Sequence, residues 1–231
     1  MSQTLALHSH PLASFCQKVL VALYENGTPF DHVMVDHGDP ESRARLFALW
    51  PVGKIPVLHD IAAGRILPET SIIIEYLDAQ FPGARPMLPA GEAERLEARL
   101  WDRIFDCHVQ EPMQRIVAER MRPGGEKDPR GAREARALLL KAYALIDARM
   151  AGRVWAVGDR FSLADCAAAP ALFYAGAVCP FAADFPHLAA YFDRLLERPS
   201  FARVLDEARP FLRYFPFADD IPPRFLDRKA G

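Results

Sequence analysis

Leu5-Ala6-Leu7-His8-Ser9-His10-Pro11-Leu12-Ala13-Ser14-Phe15-Cys16-Gln17-Lys18-Val19 runs from a strand through a loop into a helix. Leu5 to Leu7 is a short apolar run. Pro11 breaks it and pushes His10 towards extended geometry. From Phe15 onward, apolar residues recur at helical spacing, at Phe15, Val19, Ala22 and Leu23. Ser14 takes an N-cap position and Gly27 lies beyond the last turn, so the spacing predicts a helix over 14–26.

Downstream, Val33-Met34-Val35 reads as a second strand and 41–49 as a short helix ahead of Trp50-Pro51. Ile55-Pro56-Val57-Leu58 and Arg65-Ile66-Leu67 read as two further strands, with Gly64 suited to the hairpin between them. Thr70 to Gln80 presents Ile73, Ile74 and Leu77 as one apolar stripe and stops before Pro82-Gly83. The resulting order, β-α-β-α-β-β-α, defines an α/β first domain over 1–81. Residues 82–91 hold three prolines and two glycines, which suits a semi-rigid linker outside either core. Beyond it, over 92–231, the pattern is helical throughout, at 92–121, 130–151, 162–178, 185–197 and 199–207, so the second domain is expected to be all-α. Pro112 removes an internal hydrogen bond from the first of these helices and predicts a kink or break near His108. The aromatic stretch 209–231 is expected to pack along its own domain.

With 231 residues, 51% of them hydrophobic and 25% charged, the chain can build one large or two modest cores, which excludes a disordered tail and a mini-scaffold. Twenty-eight Lys plus Arg against 30 Asp plus Glu leaves no basic excess, so nucleic acid is not an expected partner. The amino terminus, Met1 to Leu7, lacks a basic region followed by an apolar one, and no later stretch approaches 18 uncharged apolar residues. The expectation is a cytoplasmic protein that does not enter the membrane. Cys16, Cys107, Cys166 and Cys179 form no CxxC pair, so neither a disulfide framework nor a metal site is expected.

Three places could carry chemistry. The helix start at Ser14 aims backbone N–H groups into the preceding loop and favours an anion there, such as a thiolate. Ile55-Pro56 opens a strand with a residue that cannot donate to the ladder; a cis bond there would expose backbone groups able to pair with an extended peptide. Glu69-Thr70 begins a helix with a carboxylate, a hydroxyl and N–H groups, a set that grips a group carrying both charges, such as an α-amino acid end.

Four stretches, 10–19, 50–58, 67–77 and 157–165, occur in an order and on elements that resemble the cytosolic glutathione transferases over essentially the whole chain. The resemblance implies a thioredoxin-like first domain with Pro56 in cis, followed by an all-α helical domain. It implies that the Ile55 backbone pairs with the cysteinyl part of glutathione. Glu69 and Thr70 would hold the γ-glutamyl end, and Lys54 would lie near the glycine carboxylate. Thr70 stands where the family more often has Ser and keeps the hydroxyl. Ser162-x-x-Asp165 resembles the family's buried capping box, with Asp in place of Glu or Gln, and its role is folding. A homodimer is the family expectation.

The reacting residue departs from the family pattern, because Ala13 stands where many serine- and cysteine-type members carry it. Ser14 is the nearest hydroxyl and the first choice to stabilise the thiolate. Cys16 is the second, through a mixed disulfide with glutathione, and His10 the third; none of them is the remaining alternative. The family's electrophile pocket would draw on Phe105, His108 and Tyr174, with Met113, Arg115 and Phe173 nearby. Three functions follow as expectations. The first is conjugation of reduced glutathione to small apolar electrophiles, with glutathione as cosubstrate and no metal. The others are glutathione-dependent disulfide or peroxide reduction through Cys16, and a partner-binding protein without turnover.

Overall fold

A computed structural model of the chain describes residues 4–226. Met1–Gln3 and residues 227–231, which the sequence reading assigns to the two domain ends, lie outside the described residues. The chain divides into two compact units, Met1–Leu88 and Pro89–Gly231.

The first unit holds β1 (Leu5–Ser9), α1 (Ser14–Asn26), β2 (Asp31–Met34), α2 (Pro40–Leu49), β3 (Val57–Asp60), β4 (Arg65–Pro68) and α3 (Thr70–Gln80). Its sheet runs β2-β1-β3-β4, with β1 parallel to β2 and antiparallel to β3, and β3 antiparallel to β4. Leu7 pairs with Leu58, and Leu58 with Leu67, so apolar residues line up across the three strands. Burying Leu7 and Leu58, both fully enclosed, contributes on the order of 1.5–3 kcal/mol each. This mixed sheet with its helices is the thioredoxin-like arrangement.

Three of the departures from the expected boundaries have a clear local reason. The α1 N-cap is Ala13, in extended geometry at φ −80° and ψ 116°, and Ser14 is the first helical residue. The first ladder bond runs from Gln17 N to Ala13 O at 3.0 Å, which places Ser14 inside the helix and corrects its N-cap assignment. Next, β3 begins at Val57 rather than Ile55, since Pro56 has no N–H to give the ladder. The expected linker, finally, is divided: Asp78 of α3 accepts from Met87 N at 3.0 Å and Leu88 N at 2.8 Å, and Met87 is 1% exposed. Met87 is therefore core of the first unit, a correction to the reading of 82–91 as outside both cores.

The second unit is helical: α4 (Glu92–Ile104), a π-helical segment (Phe105–Gln110), α5 (Glu111–Met121), α6 (Pro129–Met150), α7 (Leu163–Val178), α8 (Pro186–Leu196) and α9 (Pro199–Ala208). The expected interruption near His108 takes the form of this π segment: the backbone stays helical from α4 through it into α5, and Pro112, the second residue of α5, has no N–H to give the preceding turn. The central helix α7 is buried on nearly every side. The aromatic tail follows α9 in short 3-10 turns. Phe215 packs edge-on to Tyr174 at 5.0 Å, and Phe225 to Phe173 at 5.1 Å. Among the described residues, no helix is long and apolar enough to cross a membrane.

Candidate functional site

Strand register brings the first unit's candidate residues to one end of its sheet. His8, near the end of β1, pairs with Val57, the first residue of β3; Val57 in turn pairs with Pro68, the last residue of β4. The loop into α1, the Ile55-Pro56 approach to β3 and the Glu69-Thr70 start of α3 therefore leave the sheet at the same end. Residues separated by more than fifty positions in the chain converge because adjacent antiparallel strands reverse direction.

At the first of these segments, His10 Nδ1 accepts from Leu12 N at 3.1 Å, and Ala13 N donates to His10 O at 3.0 Å. The buried Gln17 side chain donates to Pro11 O at 2.7 Å. These three bonds hold the loop against the helix start. No side chain caps α1, so its dipole points at the loop without a competing acid in the first turn. Ser14 is buried there. His10 is half-buried, and that burial lowers its pKa, with His37 and His32 acting the same way and Asp36 opposing them.

The Ile55–Pro56 peptide bond is cis. Ile55 is half-buried, Pro56 buried and Lys54 exposed. Glu69 stands just before α3 with φ 70° and ψ 114°, a positive-φ conformation that a non-glycine residue keeps only when its surroundings hold it. Its side chain is exposed, while Thr70, the first helical residue, is buried, and no side chain caps this helix start. Segments carrying backbone groups, a hydroxyl and a carboxylate thus lie at one end of the sheet, a set suited to a short peptide ligand with charged ends.

The structure removes several expected roles. Cys16 is 0% exposed, and burial pushes its thiol up to about 12, against a smaller opposing backbone hydrogen bond from His10. A thiol that is neutral and enclosed at physiological pH cannot attack a disulfide, so Cys16 is corrected to a small core residue. Phe105, 0% exposed, packs against Trp101 and Tyr191, and Tyr174, 2% exposed, is held between Phe173 and Phe215. Both are corrected from pocket lining to core. Phe173 and Met113 are likewise buried, whereas His108 is exposed on the π segment and Arg115 exposed on α5. Among the described residues, no group of three or more His, Cys, Asp or Glu side chains could hold a metal ion.

Two residues at this end of the unit were missed by sequence reasoning. Lys18 lies inside α1, and its Nζ donates to Ser71 Oγ at 3.1 Å, in the first turn of α3. The available signal was a lysine four residues after Ser14, flanked by Val19, Leu20 and Val21 in an otherwise apolar stretch.

Family models match two separate stretches. One described as "Glutathione S-transferase, N-terminal domain" covers residues 7–85, and one described as "Glutathione S-transferase, C-terminal domain" covers residues 104–199. Glutathione S-transferase-like protein LUC7 from Fusarium sp is 33% identical over 190 residues, spanning 78% of this chain and 83% of its own. FtsZ-localized protein A from Caulobacter vibrioides is 31% identical over 231 residues, spanning 96% of this chain and 99% of its own. The crystal structure of a glutathione S-transferase from Methylobacillus flagellatus, with glutathione bound, superposes with a TM-score of 0.80 at 27% identity. The match covers 87% of this chain and 98% of that one.

Proposed function

The chain belongs to the glutathione S-transferase family, and from that premise we propose that it binds reduced glutathione in its first unit and conjugates it to small apolar electrophiles. The observation that carries the proposal is the strand register. It gathers the uncapped start of α1, the backbone at Ile55 and the start of α3 at one end of the sheet. In this reading Glu69 and Thr70 hold the γ-glutamyl end, the Ile55 backbone beside Pro56 pairs with the cysteinyl part, and Lys54 meets the glycine carboxylate. Glutathione supplies the sulfur nucleophile, so the protein needs to bind it, orient it and favour its ionised form. Ser14 does the last of these: its hydroxyl donates to the thiolate, and the α1 dipole adds to the preference for negative charge. His108, exposed in the helical unit, is the candidate for contact with the electrophile.

The proposal is tested by following the thiolate absorbance of bound glutathione from about pH 5 to 10 in the wild type and in Ser14→Ala, against free glutathione. Stabilising the thiolate lowers the thiol pKa, and each unit corresponds to about 1.4 kcal/mol of preference for the ionised form. The expected result is a bound thiol titrating well below the free one, moved back up by Ser14→Ala. Absence of binding at millimolar glutathione would overturn the reading.

A second reading, partner recognition without turnover, is favoured by the full-length similarity to FtsZ-localized protein A and by Ala13, which offers no hydroxyl where one is common in the family. An unshifted thiol on a protein that still binds glutathione would select it. Both readings place the chain in the cytoplasm and as a homodimer, which sedimentation at twice 25.9 kDa would support.

A further inference from the structure

Lys18 carries an ammonium and is only 1% exposed. Burying an ammonium is costly unless it is hydrogen-bonded, and an apolar side chain of similar volume would fill the space without that cost. Packing alone therefore does not account for a cation here. The bond to Ser71 Oγ reaches the second residue of α3, directly after Thr70 and Glu69. Lys18 also lies one turn beyond Ser14 on the same face of α1. The link thus joins the two helix starts assigned to glutathione. It ends beside Glu69, whose positive-φ backbone has to be held by its neighbours.

We infer that Lys18 is a positioning residue for glutathione: by holding Ser71, it keeps the first turn of α3 in the geometry in which Glu69 and Thr70 meet the γ-glutamyl end. The inference rests on the glutathione reading above. It makes Lys18 and Ser71 one functional unit, so their effects on binding are coupled rather than additive.

The test is calorimetric titration of glutathione into the wild type, K18M, K18R, S71A and the K18M/S71A double variant, with thermal unfolding measured for each. K18M and S71A are each expected to weaken binding about tenfold, the scale of one lost hydrogen bond to a charged group. The double variant should be no weaker than K18M alone, and K18R, which keeps charge and donor, should recover most of the affinity. A purely structural role would lower the melting temperature and leave the affinity of the folded protein within about twofold of wild type. That result, or simple addition in the double variant, would overturn the inference. Should K18M not fold, S71A decides: unchanged affinity overturns the link and a tenfold loss supports it. Failure of the wild type itself to bind glutathione would instead remove the reading on which the inference rests.

Discussion

Ser14 and Ser162 both stand at the start of a long helix, each three residues before a side chain able to complete a capping box, Gln17 in one case and Asp165 in the other. At α7 the box closes. Asp165 accepts from Ser162 N at 2.9 Å, Ser162 Oγ at 3.1 Å, Ala156 N at 3.0 Å and Tyr191 OH at 2.6 Å. Burial raises the Asp165 pKa, and these four donors pull against that rise. At α1 the box does not form: the N-cap is Ala13, and Gln17 turns its amide to Pro11 O. The same local pattern therefore serves folding where the chain answers its own helix start. It leaves a helix start without a side-chain cap where the glutamine is used to hold the preceding loop.

The largest expected effect comes from breaking the closed start. Asp165→Ala strands four donors in the core and should cost about 3–5 kcal/mol in urea unfolding, while leaving the thiol pKa of glutathione on the folded fraction unchanged. A loss below about 1 kcal/mol would mean that α7 does not depend on its box. Breaking the open start should do the reverse. Ser14→Ala is expected to raise the bound-thiol pKa by about one unit and to change stability by less than about 1 kcal/mol.

Thr70→Val tests the other open start; glutathione binding should weaken about tenfold by calorimetry, with the melting temperature little changed. The smallest effect is expected at Cys16. With its thiol pushed up to about 12, only about one part in ten thousand is ionised at pH 8. Iodoacetamide should therefore label exposed Cys107 in the native protein and spare Cys16, as read by peptide mass. Cys16→Ala should leave any glutathione-dependent turnover intact; loss of turnover would restore Cys16 to the chemistry.

Much of the fold was legible because it is local. The spacing of Phe15, Val19, Ala22 and Leu23 placed α1 over Ser14–Asn26, and Thr70 with the Ile73, Ile74 and Leu77 stripe placed α3 over Thr70–Gln80. Pro112 marked the interruption before α5. The candidate site was legible only in part. Lys54, Ile55, Pro56, Glu69 and Thr70 came from motifs, and the register brings their two segments to the same end of the sheet as the loop into α1. Phe105 and Tyr174 were misplaced because an aromatic at helical spacing looks the same whether it lines a pocket or fills a core. Only the surrounding Trp101, Tyr191, Phe173 and Phe215 decide between the two.

By itself, the sequence determined the order of elements and the helix starts, since periodicity, prolines and capping residues act within one or two turns of the chain. Tertiary structure decided which helix start is closed and which thiol is enclosed, and it joined Lys18 to Ser71 across 53 positions. Those outcomes depend on burial and on hydrogen bonds between distant segments, and both exist only once the strands have paired and the helices have packed.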